Sequence, residues 1–313
     1  MGLILAVDGG NSKTELVVAT TDGECVALVR GAGSNSHAVG VDGAVAVIGS
    51  LIAESGASLP AEHAVFFLCG ADVPADIAEL DAALTAAAWA REIRVDNDTF
   101  ALLRAGTDAA DAVAVICGSG INCVGRAAGG RIARYPSLGW ETGDWGGSEM
   151  LGRDAVFFAA RAEDGRGEPT ELAELVRLHF GLERVEDVGA AVHYRRLRQS
   201  RLGELAPLVV DAAARGDAVA TALVDRLANE IALMVRRAFR DLAIEAGDVV
   251  LGGGMLQGGA GRLHDAVLER LPPGARPIVL DDRPVLGAAL AALDDAGAGT
   301  RAKDRLRQEL RGR

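Results

Sequence analysis

The chain is poor in cysteine, in basic charge and in long apolar runs. Its 313 residues include four cysteines, none in a Cys-x-x-Cys pair, which excludes a disulfide scaffold and disfavours a zinc or redox dithiol motif. No basic region precedes the first apolar run, which Asp8 interrupts, and no later run approaches ~18 residues. We therefore expect neither a signal peptide nor a membrane span, and a cytoplasmic protein with reduced thiols.

Positive charge is in the minority, because 32 Lys and Arg residues stand against 44 Asp and Glu residues, for a net charge of -12. Such a chain is a poor partner for a nucleic-acid backbone or an anionic membrane, and no helix-turn-helix extends it. Hydrophobic residues make up 50% of the chain, enough to bury two medium-sized cores. We expect two domains, a small-molecule substrate, and no nucleic-acid or membrane partner.

Glycine is abundant: its 40 residues are about 13% of the chain, against a usual share of ~7%, and they follow no Gly-X-Y period. Three glycine-rich loops, at residues 8–11, 118–120 and 252–254, each follow a short apolar strand. Backbone N–H groups without neighbouring Cβ atoms can approach an anion closely, so a nucleoside triphosphate is the natural ligand. Any single loop is explained as well by an ordinary hairpin turn, but three loops in a duplicated context favour phosphate binding.

The order of the predicted elements is that of a duplicated α/β protein. Three strands and a helix open the chain, and the arrangement of strand, glycine turn and strand returns at residues 112–126. We place the junction near residues 107–111, which gives domains at 1–108 and 109–313, with a helical insertion at about 150–243. An apolar stripe between Val219 and Leu242 predicts the last helix of the insertion. The arginine-rich segment 301–313 is expected to be a solvated helix or a frayed end.

Several common motifs are missing from the sequence. There is no G-x-x-x-x-G-K-[ST] phosphate loop, and the pairs Gly118-x-Gly120 and Gly252-x-Gly254 lack the third glycine of a dinucleotide fingerprint. The five histidines do not have the spacing of metal ligands, and no G-x-S-x-G elbow is present. P-loop, Rossmann, zinc-enzyme and serine-hydrolase functions are therefore disfavoured.

Three segments, in this order, resemble a known family. Residues 5–14 (LAVDGGNSKT) are similar to its first phosphate loop, residues 116–122 (ICGSGIN) to its second, and residues 250–254 (VLGGG) to its adenosine loop. On these motifs the chain resembles the BadF/BadG/BcrA/BcrD ATPase family, which includes N-acetylglucosamine kinases, within the actin, sugar-kinase and Hsp70 ATPase superfamily. The resemblance runs through almost the whole chain. It implies an α/β fold of two actin-like (ribonuclease H-like) domains with Mg-ATP in the cleft between them.

The nucleotide-binding residues follow from the same resemblance. Asp8 is able to hold Mg²⁺ through water, and Lys13 is able to reach a phosphate oxygen as a point charge. The first two loops are expected to face the phosphates and the third the adenosine. The implied ATP-binding residues are Asp8, Gly9, Gly10, Asn11, Ser12, Lys13, Gly118, Ser119, Gly120, Gly252, Gly253 and Gly254.

Asp98 is the candidate catalytic base. It lies in residues 95–99 (VDNDT), a strand end leading into a helix, where amino-sugar kinases of this family place the aspartate that deprotonates the acceptor hydroxyl. Phosphoryl transfer needs such a carboxylate within hydrogen-bond reach of the acceptor. The alternative is structural, because an Asp at this position is also a common helix N-cap.

The acceptor residues match the family only in part. Asn35 falls on the position of a sugar-contacting asparagine, and Ser119, Asn122 and Asp144 match further polar positions that would bind the substrate. The differences are Ser36-His37 where the kinases have His-Trp, Leu138 where they have tryptophan, and Trp145 in place of the glutamate of their GDEGS motif. Trp140 and Trp145 are either an apolar face for the sugar or packing residues.

Three functions are compatible with these motifs. The first is an ATP-dependent kinase for N-acetylglucosamine or a related amino sugar, as a homodimer by analogy with related kinases. The second is an ATPase activator of a dehydratase or reductase, which would need an iron–sulfur cluster held by cysteines; Cys117 and Cys123 instead flank the second phosphate loop. The third is a nucleotide or sugar sensor without turnover.

Overall fold

The computed structural model describes residues 2–257 and 261–312. Within these residues the chain forms ten strands and eleven α-helices, with two short 3-10 helices at Gly139–Thr142 and Gln199–Leu205. In chain order the elements are β1 (Leu3–Gly9), β2 (Lys13–Thr20), β3 (Cys25–Ala32), α1 (Ser36–Ser55), β4 (Ala61–Leu68), α2 (Pro74–Ala86), β5 (Ala90–Asn97), α3 (Thr99–Gly106), β6 (Ala112–Cys117), β7 (Ile121–Ala127), β8 (Arg131–Arg134), α4 (Gly147–Glu163), α5 (Leu172–Phe180), α6 (Val185–His193), α7 (Ala206–Ala214), α8 (Ala218–Leu242), β9 (Gly247–Gly252), α9 (Arg262–Arg270), β10 (Ala275–Val279), α10 (Val285–Asp295) and α11 (Thr300–Arg311).

Two compact units share these residues. The first unit contains the described residues up to Ala114, the short stretch Arg134–Pro136 and the described residues from Leu280 onwards. The second contains Val115–Ala133 and the described part of Ser137–Val279. Both ends of the chain therefore belong to the first unit, whereas the sequence-based division at 108/109 assigned residues 280–313 to the second domain.

The apolar character of α10 explains this difference. All its residues from Val285 to Leu293 are buried, and the helix packs against β1, β2, β4 and α3 of the first unit. A helix that is apolar on every side needs cover on every side. Helix α11 follows it into the same cluster, where Leu306 and Leu310 are buried. The segment predicted to be a solvated helix or a frayed end is thus a packed helix.

The first unit is built on a five-stranded sheet in the order β3-β2-β1-β4-β5. Strands β1, β2 and β3 are antiparallel neighbours, whereas β4 runs parallel to β1 and β5 runs parallel to β4. Alternate residues of β1 enter two different clusters: Leu5 and Val7 pack with the residues of α1 and α2, and Ile4 and Ala6 pack with α10. The carboxyl ends of β1, β4 and β5 therefore lie at one edge of a sheet that is covered on both faces.

Helix α1 combines length with an apolar composition. By those two criteria alone it could cross a membrane. Its backbone departs from helical geometry at Gly40, and its buried residues lie against the strands of the first unit. They are Ala44, Ile48, Leu51 and Ile52. The helix therefore forms part of the core of the first unit.

The second unit is built on a sheet in the order β10-β9-β6-β7-β8. Helices α4 to α8 occupy the predicted insertion, and α8 packs against β7. The side chain of Asp217 begins α8 by accepting a hydrogen bond from the backbone N–H of Ala220 at 2.8 Å, which satisfies one otherwise unpaired helical donor. The apolar stripe predicted between Val219 and Leu242 is the face of α8 that is buried, apart from Val219 itself.

Candidate active site

The first glycine-rich loop is the tight turn between β1 and β2. Gly10 N–H donates to the carbonyl of Lys13 at 2.8 Å, and the last residue of β1, Gly9, accepts from Cys69 N–H at 2.7 Å. The turn is therefore fixed on one side by its own strand pair and on the other by the segment after β4. Asp8 is the penultimate residue of β1, so its carboxylate lies at the end of a buried strand.

A second segment of the first unit packs on this turn. Ser34 N–H donates to the carbonyl of Gly10 at 3.1 Å, and the Asn35 amide donates to the side-chain oxygen of Asn11. A Cβ atom on Gly33 would stand 2.0 Å from the carbonyl oxygen of Asn11, so only glycine permits this approach. The structure thus brings together Asn11, predicted to bind ATP, and Asn35, predicted to bind the sugar.

Carboxylates surround the strand end that carries Asp8. Glu15 lies opposite Asp8 in the β1–β2 register and is 1% exposed. Burial raises the pKa of Asp8 well above its ordinary value, and the nearby charges of Asp98 and Glu15 raise that pKa further. Oxygen donors grouped in this way suit a hard divalent cation such as Mg²⁺, which would relieve their mutual repulsion.

Lys13 was predicted to reach a phosphate oxygen, and in the structure it is paired with a buried carboxylate. Its Nζ lies 3.4 Å from Glu15 Oε2, while Arg283 Nη1 lies 3.1 Å from Glu15 Oε1. Glu15 was missed by the sequence analysis. The signal for it was present: a carboxylate directly precedes the apolar run 16–19 of β2, and a charge that is buried there needs partners.

Asp98 stands between the end of β5 and the first residue of α3. In the described chain its side chain makes no capping hydrogen bond, although its carbonyl oxygen accepts from Ala101 N–H at 2.9 Å. The preceding Asn97 supplies the side-chain oxygen, which accepts from Thr99 N–H at 2.9 Å. The Asp98 carboxylate therefore makes no side-chain capping bond of the usual kind, although N–H groups at the start of α3 interact with it.

The surroundings of Asp98 favour its protonated form. Burial, followed by the neighbouring carboxylate of Asp72, raises the pKa of Asp98 to about 7, against the lowering effect of backbone N–H groups. A carboxylate with a pKa near neutrality accepts a proton from a hydroxyl more readily than an exposed aspartate does. Perturbed pKa values of this kind cluster at functional sites.

Asp72 is a charged group near Asp98, and His37 lies beside Asp72. Asp72 lies in the loop between β4 and α2, and its Oδ1 accepts from Asn97 Nδ2 at 2.8 Å. The imidazole of His37, in the first turn of α1, lies 3.8 Å from Asp72 and 3.4 Å from Asp76. Burial raises the pKa of Asp72 to about 6, and the His37 charge opposes this rise. Neither Asp72 nor Asn97 was singled out from the sequence.

The second glycine-rich loop belongs to the second unit and connects β6 to β7. Gly118 N–H donates to the carbonyl of Gly120 at 2.9 Å. The carbonyls of Gly118 and Ser119 accept from the first N–H groups of α4, those of Ser148 and Glu149, at 2.8 and 3.1 Å. These bonds satisfy donors that a helix terminus leaves unpaired, and they fix the loop to the start of α4.

The third glycine-rich loop packs on the same strand end. Met255 N–H donates to the carbonyl of Cys117, the last residue of β6, at 3.0 Å. Gly253 has a φ of +88°, and a Cβ atom there would stand 2.4 Å from that carbonyl oxygen. Both the left-handed backbone and the close approach require glycine. The structure thus places the predicted phosphate loop of the second unit next to the predicted adenosine loop.

The predicted acceptor residues of the second unit lie on one stretch of chain and a neighbouring strand. The Ser137 hydroxyl donates to Asn122 Oδ1 at 2.7 Å, and Thr142 donates to the carboxylate of Asp144. Asp144 N–H in turn donates to the carbonyl of Gly139 at 2.9 Å. The segment 137–144 is therefore folded back on itself, with Asn122 at one end and Asp144 at the other.

The two tryptophans of this region differ in role. Trp145 is buried, its Nε1 donates to Asp154 at 3.1 Å, and the Arg226 guanidinium lies 3.9 Å from the centre of its ring. Trp140 is 74% exposed. Trp145, which replaces the family glutamate, is therefore a packing residue. The indole ring of Trp140 is exposed and able to contact a ligand.

The predicted site residues accordingly fall into two sets. The set in the first unit is Asp8, Gly9, Gly10, Asn11, Ser12, Lys13, Asn35 and Asp98. The set in the second unit is Gly118, Ser119, Gly120, Asn122, Asp144, Gly252, Gly253 and Gly254. Within each unit the glycine-rich loops follow the ends of strands, whereas Asp144 lies in the loop between the 3-10 helix Gly139–Thr142 and α4.

The sequence model of one protein family, described as the BadF/BadG/BcrA/BcrD ATPase family, matches residues 5–292. The chain belongs to this family. The predicted resemblance is therefore confirmed, and the match includes all three glycine-rich loops.

Two curated relatives are sugar kinases. An N-acetylmuramic acid/N-acetylglucosamine kinase from Clostridium acetobutylicum is 28% identical over 256 residues, which cover 80% of this chain and 84% of the relative. An N-acetyl-D-glucosamine kinase from Dictyostelium discoideum is 24% identical over 319 residues, covering 93% of this chain and 98% of the relative.

Solved structures confirm the fold. A provisionally assigned N-acetylglucosamine kinase from Chromobacterium violaceum aligns with a TM-score of 0.70 at 22% identity, covering 93% of this chain and 98% of its own. A ROK family glucokinase from Streptomyces griseus, in complex with glucose and AMPPNP, aligns with a TM-score of 0.54 at 17% identity, covering 98% and 100%. The predicted actin-like α/β fold with a helical insertion is that of these sugar kinases.

Proposed function

We propose that the protein is an ATP-dependent kinase that phosphorylates a hydroxyl of an amino sugar, N-acetylglucosamine or a close relative. The observation that carries this proposal is Asp98: its carboxylate lies at a strand end near Asp8, has a pKa of about 7 and is not used as a helix cap. The curated relatives, both amino-sugar kinases, support the acceptor class. The Streptomyces griseus glucokinase, with its bound glucose and AMPPNP, supports the use of ATP.

In this mechanism the glycine-rich loops bind ATP through their backbone N–H groups. Asp8 would hold Mg²⁺, directly or through water, and the ion supplies neutralisation of charge on the transferring phosphoryl group. Asn35, Ser119, Asn122 and Asp144 would orient the sugar through its hydroxyl and amide groups. Each of these side chains can form a hydrogen bond with a hydroxyl or amide group of the sugar. Without such a partner, that group would be desolvated at a cost in free energy.

Asp98 would accept the proton of the attacking hydroxyl. As the hydroxyl oxygen bonds to the γ-phosphorus of ATP, the bond from that phosphorus to the β–γ bridging oxygen breaks and ADP leaves. The hydroxyl proton passes to the Asp98 carboxylate and is released after the sugar phosphate departs. The raised pKa of Asp98 brings its basicity close to what a base needs at neutral pH.

The proposal is tested by offering a panel of sugars with coupled detection of ADP. We expect turnover with N-acetylglucosamine or N-acetylmuramic acid, and little with sugars that lack the acetamido group. Isothermal titration with ATP and with ADP in the presence of magnesium measures the nucleotide step separately. Binding of nucleotide without phosphorylation of any sugar would favour the sensor alternative, and no nucleotide binding would contradict the family function.

The activator alternative receives no support from the cysteines. Cys117 and Cys123 are buried, and burial raises the pKa of the Cys117 thiol to about 12. Thiolates that hold an iron–sulfur cluster across a subunit interface need to be accessible and easily deprotonated.

We propose a cytoplasmic homodimer that acts on a small sugar, with no nucleic-acid or membrane partner.

The pH dependence of kcat/KM should report the titration of Asp98. The carboxylate form is the active base, so kcat/KM should fall as pH falls below about 7, by close to tenfold per pH unit well below the pKa. The measurement is a pH–rate profile from pH 5 to 9 with sugar limiting and ATP saturating. A flat profile between pH 5 and 8 would contradict the assignment of Asp98 as base.

Replacement of Asn35 should separate sugar binding from nucleotide binding. Its side-chain oxygen caps α1 by accepting from His37 N–H at 2.9 Å, so Asn35→Ser keeps a capping oxygen and removes only the amide N–H groups. We expect the KM for sugar to rise by about tenfold, as for the loss of one or two polar contacts, and the KM for ATP to rise by less, because only Asn11 among the predicted ATP-binding residues loses a bond to Asn35. Equal rises in both constants would remove Asn35 from the sugar site.

A further inference from the structure

A chain of two hydrogen bonds connects the loop after β4 to the start of α3. Asp72 Oδ1 accepts from Asn97 Nδ2 at 2.8 Å, and Asn97 Oδ1 accepts from Thr99 N–H at 2.9 Å. The amide of Asn97 is thereby held at both ends. Asn97 is 5% exposed, so water competes little for these bonds.

Asp98 lies inside the turn that these bonds close. Its neighbours on both sides, Asn97 and Thr99, are joined by one bond, and its own carbonyl accepts from the first turn of α3 at Ala101. The backbone of Asp98 is therefore fixed, and with it the direction of its Cα–Cβ bond. If the Asn97 amide loses its partner at Asp72, this turn loses one of the groups that orient it.

The β4–β5 register explains why Asp72 reaches Asn97. Leu68 and Asn97 are paired at the carboxyl ends of these parallel strands, and Asp72 follows β4 in the loop that leads to α2. The carboxylate of Asp72 faces Asn97 on one side and the His37 imidazole, at 3.8 Å, on the other. His37 belongs to the helix that Asn35 caps, so Asp72 stands between the predicted sugar contact and the predicted base.

We propose that Asp72 is a positioning residue for Asp98: its carboxylate holds the Asn97 amide, which fixes the turn that presents the catalytic carboxylate. This inference rests on the proposed kinase function, and it assigns to Asp72 no contact with the substrate. Because a misplacement of ~1 Å at a reacting group can cost ~10² in rate, a positioning role should appear in kcat rather than in KM.

The test compares Asp72→Ala with Asp72→Asn. Alanine removes the acceptor, so kcat should fall by roughly 10- to 100-fold with both KM values near those of the wild type. Asparagine keeps a side-chain oxygen that can accept from Asn97, so it should recover most of kcat. Asp76→Asn is the matched control, because Asp76 lies beside the same imidazole but its carboxylate accepts from Val73 N–H at the start of α2.

A double-mutant cycle identifies the route of the effect. If Asp72 acts through Asn97, the double variant Asp72→Ala/Asn97→Ala should be no slower than Asn97→Ala alone. Fully additive losses, or a defect in Asp72→Asn as large as that in Asp72→Ala, would overturn the proposal. A rise of either KM with kcat unchanged would overturn it as well.

Amide hydrogen exchange keeps this test separate from that of the kinase function. Exchange at Thr99 N–H should be faster in Asp72→Ala than in the wild type, and close to the wild type in Asp72→Asn and Asp76→Asn. If the wild-type chain phosphorylates no sugar, the proposed function fails while this measurement still reports on the turn. Unchanged Thr99 exchange in Asp72→Ala would show that Asp72 does not hold the turn.

Discussion

Asp98→Asn should lower kcat by roughly 10²–10⁴ with the affinity for ATP unchanged. The substitution keeps the size and one oxygen of the side chain and removes the proton acceptor, and general bases contribute about this much to a rate. Asp98 makes no side-chain capping bond, and Asn97 Oδ1 accepts from Thr99 N–H, so neither this variant nor Asp98→Ala should lose a side-chain helix cap. The measurement is steady-state kinetics with the sugar that the panel identifies.

Two comparisons make this prediction specific. Asp96→Asn, two residues earlier on β5, should keep most of the activity, and near-normal turnover in Asp98→Asn would remove the base assignment.

Thermal stability adds a second check. A folded-state pKa of about 7 for Asp98 lies above the unfolded value of ~3.9, so the contribution of Asp98 to wild-type stability should decline as pH rises between those values. The Asn variant lacks this decline, so its stability relative to the wild type should increase with pH.

Gly253→Ala should disrupt the third loop and with it the binding of ATP. The φ of +88° disfavours any side chain, and the added Cβ would stand 2.4 Å from the carbonyl oxygen of Cys117. The left-handed backbone costs ~1–2 kcal/mol and overpacking a further ~1–3 kcal/mol. We expect a loss of about 2–5 kcal/mol in the free energy of unfolding, together with a Kd for ATP at least tenfold higher.

The matched control is Gly216→Ala. Gly216 follows α7 with a similar φ of +96°, and no atom of the described chain lies within 4 Å of its added Cβ. It should therefore lose only the backbone contribution of ~1–2 kcal/mol and keep its affinity for ATP. Denaturant unfolding and isothermal titration measure the two quantities. Equal behaviour of the two variants would show that the contact with Cys117 is not what fixes the third loop.

The sequence predicted the parts of the fold that depend on local pattern. The strands and turns around residues 8–11 and 118–120 and the buried stripe of α8 follow from hydrophobic periodicity and from glycine. Family motifs added the order of the three loops. The location of α10 could not be predicted in this way, because its apolar residues indicate burial without indicating which sheet covers them.

The predicted site shows the same division between local and distant information. Asp98 was identified from its neighbours in the chain, and the structure adds why its pKa is raised: the carboxyl group is buried, and Asp72 approaches it from a different loop. Lys13 was assigned to phosphate from its position in a motif, and its partner Glu15 lies only two residues away on β2, but the contact of Glu15 with Arg283 depends on the C-terminal segment returning to the first unit. The Arg283 contact depends on tertiary structure, because its two residues are far apart in the sequence.

The return of the C-terminal helices to the first unit has a consequence for the order in which the protein folds during synthesis. Chains emerge from the ribosome N-terminus first, and their domains generally fold as units. The second unit is a nearly continuous stretch of chain and can complete its core once residue 279 has emerged. The first unit, which carries Asp98, cannot do so until α10 has been made, because α10 supplies most of the cover on one face of its sheet. The unit that is translated first is therefore the last to complete its core. In nascent chains that end before about residue 295, the apolar face of β1 and β4 should remain accessible to chaperones.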